Sequence, residues 1–467
     1  MSGRAAVAPS GGRKAVRRLD WAWQLVFVVA HIPLALFVPK YSDYATAHAL
    51  LVLFFGVMAA LLAKSGERVA CVAAYIAGAE VYWRMRRADV PWEFGKYALV
   101  LILAIAIVRM GRLRKGNGSL GILYFLLLLP SAILTFFSLP SADARDALSF
   151  NLSGPLALAA CVAFFSSLRI TPAQMRWVFV CLVAPILSIA VVGSVVLQRY
   201  MPDEFQTGSM AVASGGFGPN QVSAILGLGI LAAFLYMVMG TGNPVATVAF
   251  AVLSLYLFRQ CVITFSRGGL YMAVGGIAAA AFYLAGDKRT RLRLMAGMAL
   301  VLPVLFFVVW PQLENLTAGA IGERFRDTES TGRGLLIEAD LETWAENPVL
   351  GSGPGMGGKN RLKLFRVATA HTEYSRLVAE HGIFGLAAIA LLVFLAVTNV
   401  RSAPTRLEKA LAASMIVYAF LSMAVDGMRL GSIGFAFGLS GARLWAPRRQ
   451  SAAAPQENLP TRAAMRG

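Results

Sequence analysis

The stretch from Gln312 to Ser375, with TGRGLLIEADLETWAEN at 331–347 and GSGPGMGGKNRLKLFR at 351–366, is the one long polar segment of an otherwise apolar chain. Of the 467 residues, 58% are hydrophobic and only 14% are charged. The polar segment is surrounded by many apolar runs of about 17 to 22 residues, each long enough to cross a bilayer as a helix. The sequence therefore predicts an all-α polytopic membrane protein with one large extramembrane loop.

We expect about 12 to 14 transmembrane helices from these runs. Their approximate ranges are 21–38, 45–63, 69–83, 94–108, 119–137, 147–167, 177–197, 220–240, 244–263, 268–285, 294–311, 376–399, 410–426 and 431–445. The spans divide the chain into a basic tail at 1–20, a helix bundle at 21–311, the large loop at 312–375, C-terminal spans at 376–446 and a second tail at 447–467.

The positive charges predict the orientation of the bundle. The formal net charge is +19, and alternate connections, such as 109–115 and 288–293, collect Lys and Arg. Cytoplasmic loops carry such an excess. We therefore assign these connections and both tails to the cytoplasm, place the 312–375 loop on the outer face of the membrane, and expect no nucleic-acid partner.

Two groups of cations break this charge rule. Arg84, Arg86 and Arg87 form a cluster on the predicted outer face, and Arg267 lies in a very short outer turn. One interpretation is that the side chains snorkel toward lipid headgroups. The other is a site for an anionic substrate, because the planar guanidinium group grips phosphate through a fork of donors.

The first half of the polar segment predicts a helix. From 331 to 347, apolar Leu336, Ala339 and Trp344 alternate with acidic residues. This pattern is typical of an amphipathic helix that lies on the membrane or packs over the bundle.

Glycines dominate the next part of the segment, at 351–358, and could bring backbone amides close to a ligand. Several cations follow. GPGMGGKN nearly matches a phosphate-binding P-loop, but Asn360 stands where that motif needs Ser or Thr, and no strand precedes it. The sequence therefore argues against an ATPase.

One histidine is a candidate general base. His371 lies at the predicted membrane interface beside Thr372, where it could take a proton from a substrate hydroxyl. The alternative is a histidine that merely hydrogen-bonds the loop. We interpret the other three, His31, His48 and His381, as structural.

We expect no metal and no other cofactor. The acidic residues between 327 and 342 have the spacing of a solvated helix face rather than of a metal site. The cysteines lie in apolar runs without a CxxC pair, which indicates packing. They are Cys71, Cys161, Cys181 and Cys261.

Four motifs together resemble the bacterial O-antigen ligase and O-antigen polymerase superfamily. They are GFGPNQVSAI at 216–225, TFSRGG at 264–269, TGRGLLIEADLETWAENPVLGSGPG at 331–355 and HTEYSRLVAEHGIFG at 371–385. The resemblance implies many transmembrane helices, one large periplasmic loop and a GT-C-like glycosyltransferase that acts on lipid-linked glycans.

The resemblance also implies which residues are functional. A Ser-Arg-Gly turn, an arginine in the large loop and a histidine near the end of that loop are essential in the superfamily, and they correspond to Arg267, Arg333 and His371. Thr372 departs from the asparagine that usually follows the histidine, which puts any role of that amide in doubt. Asn220, in the Gly-Pro-Asn motif, has two structural interpretations: its side chain could cap the helix that starts there, or it could simply pack, and packing is the one we favour.

Together these features predict an O-antigen ligase of the inner membrane. It would join a glycan carried on undecaprenyl pyrophosphate to a sugar hydroxyl of the lipid A core, without a metal and with inversion of the anomeric centre. Arg267 and Arg333 would hold the pyrophosphate, His371 would be the base, and the cluster Arg84, Arg86 and Arg87 would hold pyrophosphate or core phosphates. The nearest alternative is a repeat-unit polymerase.

Two further alternatives are a protein O-oligosaccharyltransferase and a flippase of lipid-linked sugars. The first often carries an extra periplasmic domain, whereas this chain ends in a short basic tail. A flippase would tend to show inverted repeats and several ionisable residues at mid-membrane. Glu80 is the main acid within a predicted span, and no self-similar halves stand out.

Overall fold

Helices form almost all the regular structure in the computed structural model, which describes residues 11–37, 42–111, 117–198, 201, 204–205, 207–240, 243–327, 333–358, 361–362, 372–425 and 427–445. The helices, in chain order, are α1 Gly11–Val29, α2 His31–Phe37, α3 Ser42–Leu62, α4 Gly66–Met85, α5 Phe94–Met110, α6 Gly118–Leu127, α7 Leu129–Ser138, α8 Ser141–Phe165, α9 Pro172–Leu197, α10 Pro219–Val238, α11 Pro244–Ile263, α12 Gly268–Leu284, α13 Lys288–Val304, α14 Trp310–Leu316, α15 Ala320–Arg326, α16 Arg333–Glu346, α17 Glu373–Arg401, α18 Arg406–Val425 and α19 Gly431–Leu439. A short 3₁₀ turn, Val212–Ser214, precedes α10, and a π-helical turn, Leu305–Val309, joins α13 to α14. Two short strands, β1 Arg169–Ile170 and β2 Arg443–Leu444, pair in parallel.

Nine helical segments in the described part of the chain are long and apolar enough to cross a membrane. They are Ser42–Leu62, Gly118–Ser138, Ser141–Phe165, Pro172–Leu197, Val212–Val238, Pro244–Ile263, Lys288–Leu316, Glu373–Arg401 and Arg406–Val425. Two shorter apolar segments, Asp20–Leu36 and Gly268–Leu284, fall on further predicted spans. The prediction of an all-α polytopic membrane protein is confirmed.

The remaining predicted spans coincide with α4, α5 and α19. α5 has 17 residues and α19 has nine, and α4 carries the charged residues Glu67, Arg68 and Glu80. Most of the second half of α4 is nevertheless buried. Its neighbours in the bundle are therefore other helices rather than lipid, which is the setting in which an intramembrane carboxylate such as Glu80 can be paired.

Glycines let the central helices approach closely. A Cβ atom at Gly78 in α4 would lie 2.4 Å from the carbonyl oxygen of Leu182 in α9. One at Gly227 in α10 would lie 2.2 Å from the carbonyl oxygen of Gly269 in α12. Helices in lipid gain little from the hydrophobic effect, so close backbone packing of this kind holds them together.

Hydrogen bonds between connections define one end of the bundle. Arg84 Nη1 donates to Gln221 Oε1 at 3.1 Å and to the carbonyl oxygen of Arg429 at 3.2 Å. Ser266 Oγ donates to Asn220 Oδ1 at 2.9 Å. We call this the motif end: the end at which α4 finishes and α10, α12, α17 and α19 begin.

The opposite end gathers the other set of connections. Arg176 Nη1 donates to the carbonyl oxygen of Gly240 at 2.7 Å, and Arg109 Nη1 donates to that of Ala63 at 2.5 Å. Strands β1 and β2 also pair here, following α8 and α19. These contacts place the two sets of connections at opposite ends of the bundle, as expected if successive predicted spans cross the membrane in alternating directions.

A break in α17 at Gly382 determines how the preceding loop packs against the helix. Gly382 has φ 58° and ψ −135°, which interrupts the helix. The amide of Ile383 donates to the carbonyl oxygen of Pro348 at 3.0 Å instead of to the preceding helical turn. Two carbonyl groups of α17 are thereby left without helical donors.

The glycine-rich turn supplies those donors. The amide of Ser352 donates to the carbonyl oxygen of Ala379, and the amide of Gly353 to that of Glu380, both at 3.0 Å. These two amides bind the helix, so they are not available to a ligand. The sequence had suggested that they could be. Through these hydrogen bonds the turn holds the large loop against α17.

We expect Gly382→Ala to destabilise the protein by about 1–3 kcal/mol. Its φ is positive, and an added Cβ atom would lie 2.4 Å from the carbonyl oxygen of Val349. Thermal unfolding in detergent measures the effect. Gly297→Ala in α13 is the control, because a Cβ atom there meets nothing within 4 Å. Equal unfolding temperatures for the two variants would contradict the role of the kink.

Candidate active site

The TFSRGG turn between α11 and α12 has a strained backbone. Phe265 has φ 56°, in the left-handed region that side chains rarely adopt. The amide of Ser266 donates to Thr264 Oγ1 at 3.2 Å, and Ser223 Oγ donates to the carbonyl oxygen of Ser266 at 2.8 Å. Such strain persists only where surrounding contacts enforce it, and it is common at functional sites.

Asn220 joins this turn to the start of α10. Its Oδ1 accepts the hydrogen bond from Ser266 Oγ, and α10 begins at Pro219 without a side-chain cap. Of the two interpretations of Asn220, capping is therefore wrong. A capping side chain comes from the residue before the helix, which here is Gly218, whereas Asn220 already lies inside it.

Two arginines meet beside the Ser-Arg-Gly turn. Arg267 Nη1 donates to the carbonyl oxygen of Asp327, and Arg324 Nη1 lies 3.3 Å from Asp327 Oδ2. Arg324 Nε also donates to the carbonyl oxygen of Phe265 at 3.1 Å. Burial lowers the pKa of Arg324 from its ordinary value, and the charge of Arg267 lowers it further. Two guanidinium groups thus meet at Asp327, one at its backbone carbonyl oxygen and one at its carboxylate, and an anion would relieve their repulsion.

Arg324 was not among the residues predicted from the sequence. It lies in the short helix α15, 57 residues after Arg267, and its side chain is only 9% exposed. An arginine that is buried beside a second arginine is a stronger indication of an anion site than either residue alone.

A cavity of about 190 Å³ opens at the motif end beside the start of α17. Its walls come from α8, the glycine-rich turn, α17 and the segment before α19. The lining residues are Phe150, Asn151, Gly355, Gly358, Arg361, Thr372, Glu373, Arg376, Glu380, Gly427, Met428 and Arg429. Thr372 lies on this wall and directly follows His371 in the sequence.

A buried ion cluster forms the floor of this cavity. Arg361 Nε lies 2.6 Å from Asp340 Oδ1 in α16, and Arg361 Nη2 lies 3.4 Å from Glu380 Oε1. Arg376 pairs with Glu373 and lies 2.8 Å from Glu380 Oε2. The cluster ties the large loop to α17 through charge pairs.

The two arginines face three carboxylates, so the cluster carries a formal excess of one negative charge. Ser375 Oγ donates to Asp340 Oδ2 at 2.5 Å, and the amide of Met428 donates to Glu373 Oε2 at 3.1 Å. These neutral donors stabilise the carboxylates. Because each carboxylate has an arginine partner, the cluster positions the cavity walls rather than offering free acids.

We expect Arg376→Met to lower the free energy of unfolding by about 3–5 kcal/mol, because two carboxylates would lose a buried partner. Chemical unfolding in mixed micelles would measure this. Arg401→Met is the matched control, since Arg401 ends the same helix and is exposed, and it should change stability by less than about 0.5 kcal/mol. Similar losses for both variants would refute the structural role of the cluster.

The predicted cluster of outer arginines separates into different environments. Arg84 is 5% exposed and lies 2.6 Å from Glu80 Oε1 and 3.7 Å from Glu93 Oε2. Arg86 is half-buried, with Nη2 3.5 Å from the carbonyl oxygen of Ala35. Arg87 is exposed and has φ 52°. Arg84 is thus already paired, and Arg87 is the member most open to a ligand.

The other two predicted catalytic residues lie at the edge of the described structure. Arg333 is the first residue of α16, and Leu336 and Ala339 on the same helix are buried as the amphipathic pattern suggests. His371 lies outside the described residues.

The remaining histidines have structural contacts. His31 Nε2 and His48 Nε2 lie 2.9 and 2.8 Å from the hydroxyl of Tyr75. His381 is buried beside the kink, with Nδ1 2.5 Å from Ser131 Oγ. Their partners and burial fit the structural interpretation.

Neither cysteine nor acid clusters suggest a different chemistry. All four cysteines are free thiols, with Cys161 and Cys261 buried and Cys71 and Cys181 half-buried. Within the described ranges, the His, Cys, Asp and Glu side chains form no group of three placed to hold a metal ion.

Residues 252–390 match a family model described as O-antigen ligase. The match covers the Ser-Arg-Gly turn, Arg324, α16, the glycine-rich turn and the start of α17. It supports the resemblance to the superfamily seen in the sequence motifs. No curated protein matches the chain.

Proposed function

We propose that the protein is an O-antigen ligase of the bacterial inner membrane, because residues 252–390 match the O-antigen ligase family model. The donor is a glycan on undecaprenyl pyrophosphate, and the acceptor is a sugar hydroxyl of the lipid A core. One observation carries this proposal: the superfamily motifs meet at the motif end, around the Arg267 and Arg324 pair and the cavity that Thr372 lines.

Arg267 and Arg324, with Arg333, hold the pyrophosphate of the donor. The support is the excess positive charge beside the Ser-Arg-Gly turn, where Asp327 is shared by two guanidinium groups. Fixed cations stabilise charge that develops on a leaving group without reorganising during the reaction. The transfer can therefore proceed without a metal.

His371 acts as the general base. It takes the proton from the acceptor hydroxyl as that oxygen forms a bond to the anomeric carbon. The bond between the anomeric carbon and the pyrophosphate oxygen breaks, and its electron pair leaves with undecaprenyl pyrophosphate. Attack from the opposite side inverts the anomeric centre. Thr372 on the cavity wall supports this position for His371.

The motif end faces the periplasm in this proposal, because the opposite end holds connections rich in Lys and Arg. The three arginines at the end of α4 have different roles. Arg84 positions neighbouring backbone through its bonds to the carbonyl oxygens of Trp92 and Arg429. Arg86 remains a candidate to hold phosphate groups of the donor or of the core, whereas Asp43 and Asp89 in the cavity that Arg87 lines make Arg87 a poorer candidate.

The test is a transfer assay with purified protein in sealed proteoliposomes, lipid-linked glycan and EDTA. Lipid A core is the only acceptor in one arm, and the second arm contains only more lipid-linked glycan. Glycan on lipid A core in the first arm is the expected result. Longer lipid-linked glycan with an unmodified core would instead identify a repeat-unit polymerase, and translocation without a new glycosidic bond would identify a flippase.

A further inference from the structure

A second cavity, of about 460 Å³, lies at the motif end where α3 begins and α4 ends. Its lining includes Asp43, Glu80, Arg84, Arg87, Asp89 and Trp92. The family match does not reach this cavity, and Arg84 and Arg87 are the lining residues that the proposed function has mentioned.

An aromatic platform forms one wall of this cavity. Trp92 is 53% exposed, and the guanidinium carbon of Arg84 lies 4.9 Å from the centre of its ring. Arg84 Nη2 also donates to the carbonyl oxygen of Trp92 at 3.0 Å. The centre of the Phe217 ring lies 6.0 Å from that of the Trp92 ring, and the two ring planes are inclined at 41°. A large exposed indole is therefore held in a fixed orientation, which makes binding cost little conformational entropy.

Polar groups surround the platform without a strong excess of positive charge. Exposed Asp43 and Asp89 lie on the wall with Arg87, and the buried Arg84 is neutralised by Glu80 at 2.6 Å. Three carboxylates thus face two arginines. An anionic phosphate would meet net repulsion here, whereas sugar hydroxyls can donate to carboxylates and accept from guanidinium groups.

The second cavity lies next to the first. Arg84, which lines the second cavity, donates to the carbonyl oxygen of Arg429, and Arg429 lines the first cavity. Glu80 Oε2 accepts from the amide of Gly431 at 2.7 Å. The segment 427–431 therefore separates the two cavities, one on each side.

We propose that the second cavity binds a pyranose ring of the acceptor glycan. The ring stacks on Trp92, and its hydroxyls donate to Asp43 and Asp89. This inference rests on the proposed transferase function, because it assigns the acceptor to a subsite beside the cavity that Thr372 lines. The donor pyrophosphate lies elsewhere, at Arg267 and Arg324.

The test uses the full chain in nanodiscs and two measurements. The first is calorimetric binding of core oligosaccharide released from lipid A by mild acid. The second is the transfer assay with varied donor and acceptor. The variants are Trp92→Ala, Trp92→Phe and Trp445→Ala. Trp445 is the matched control, because it is 56% exposed and follows β2 at the opposite end.

We expect Trp92→Ala to weaken oligosaccharide binding about tenfold and to raise the acceptor KM by a similar factor, with the donor KM and kcat unchanged. Trp92→Phe keeps a flat ring and should restore most of the affinity. Trp445→Ala should bind as the wild type does. A merely structural role of Trp92 would lower thermal stability without this selective change in acceptor KM.

Several outcomes would overturn the inference. Oligosaccharide binding that is absent, or that does not depend on Trp92, would do so while product on lipid A core still supported the proposed function. A rise in donor KM alone would assign the subsite to the donor instead. Conversely, Trp92-dependent binding without any transfer would support a glycan site and refute the ligase.

Discussion

His371→Ala is expected to lower the rate of glycan transfer by about 10²- to 10⁴-fold, the usual contribution of a positioned general base. The acceptor hydroxyl would then have to lose its proton to water. Donor binding should persist, because the proposed mechanism assigns the pyrophosphate to arginines and not to His371. Single-turnover assays with saturating donor and a direct donor-binding measurement separate the two effects.

Added imidazole provides the control for this variant. It should restore part of the lost rate in His371→Ala, since a small diffusible base can occupy the space of the missing side chain. It should not restore a variant such as Gly382→Ala, which is damaged through folding. Near wild-type turnover by His371→Ala would remove His371 from the mechanism.

Arg267→Ala is expected to reduce kcat by about 10²- to 10³-fold, which corresponds to about 3 to 4 kcal/mol of lost stabilisation of the developing charge. Arg267 contacts Asp327 beside Arg324. Because both arginines act on one pyrophosphate, the double variant with Arg324→Ala should cost less than the sum of the single losses. Steady-state and single-turnover kinetics measure the loss of kcat in each single variant and in the double variant.

Arg289→Ala is the matched control for this series. Arg289 is exposed in the first turn of α13 and belongs to the connection predicted to be cytoplasmic. It should leave transfer unchanged. If Arg289→Ala and Arg267→Ala reduced transfer equally, the anion site at the Ser-Arg-Gly turn would be refuted.

The sequence was a good guide to the spans, because bilayer thickness fixes the length of an apolar helix. Even α4, with Glu67 and Glu80, was recognised from the apolar run that its buried face requires. Helix α16 also follows from the spacing of Leu336 and Ala339, because both lie on one face.

Side-chain partners were much harder to predict. The cluster on α4 suggested three equivalent cations, but Arg84 is paired with Glu80 one helical turn away. The glycine-rich turn suggested a ligand cradle, yet the amides of Ser352 and Gly353 bind α17. The Glu80 partner follows from i,i+4 spacing within one helix, whereas the carbonyl partners of the glycine-rich turn become available only where α17 breaks.

The sequence also gave no signal for some residues of the site. Arg376 lies one helical turn from both its carboxylate partners but also contacts Asn151 in α8, 225 residues away in the chain. Arg324 meets Arg267 only because the large loop folds back over the Ser-Arg-Gly turn. Long-range contacts of this kind leave no periodic pattern in one sequence.

The most direct test of the central claim is a cryo-EM structure of the full-length protein in a lipid nanodisc with the lipid-linked donor bound. The account predicts pyrophosphate density between Arg267 and Arg324, with the first sugar directed toward the wall that Thr372 forms. Pyrophosphate density at the opposite end of the bundle, near Arg109 and Arg176, would contradict it.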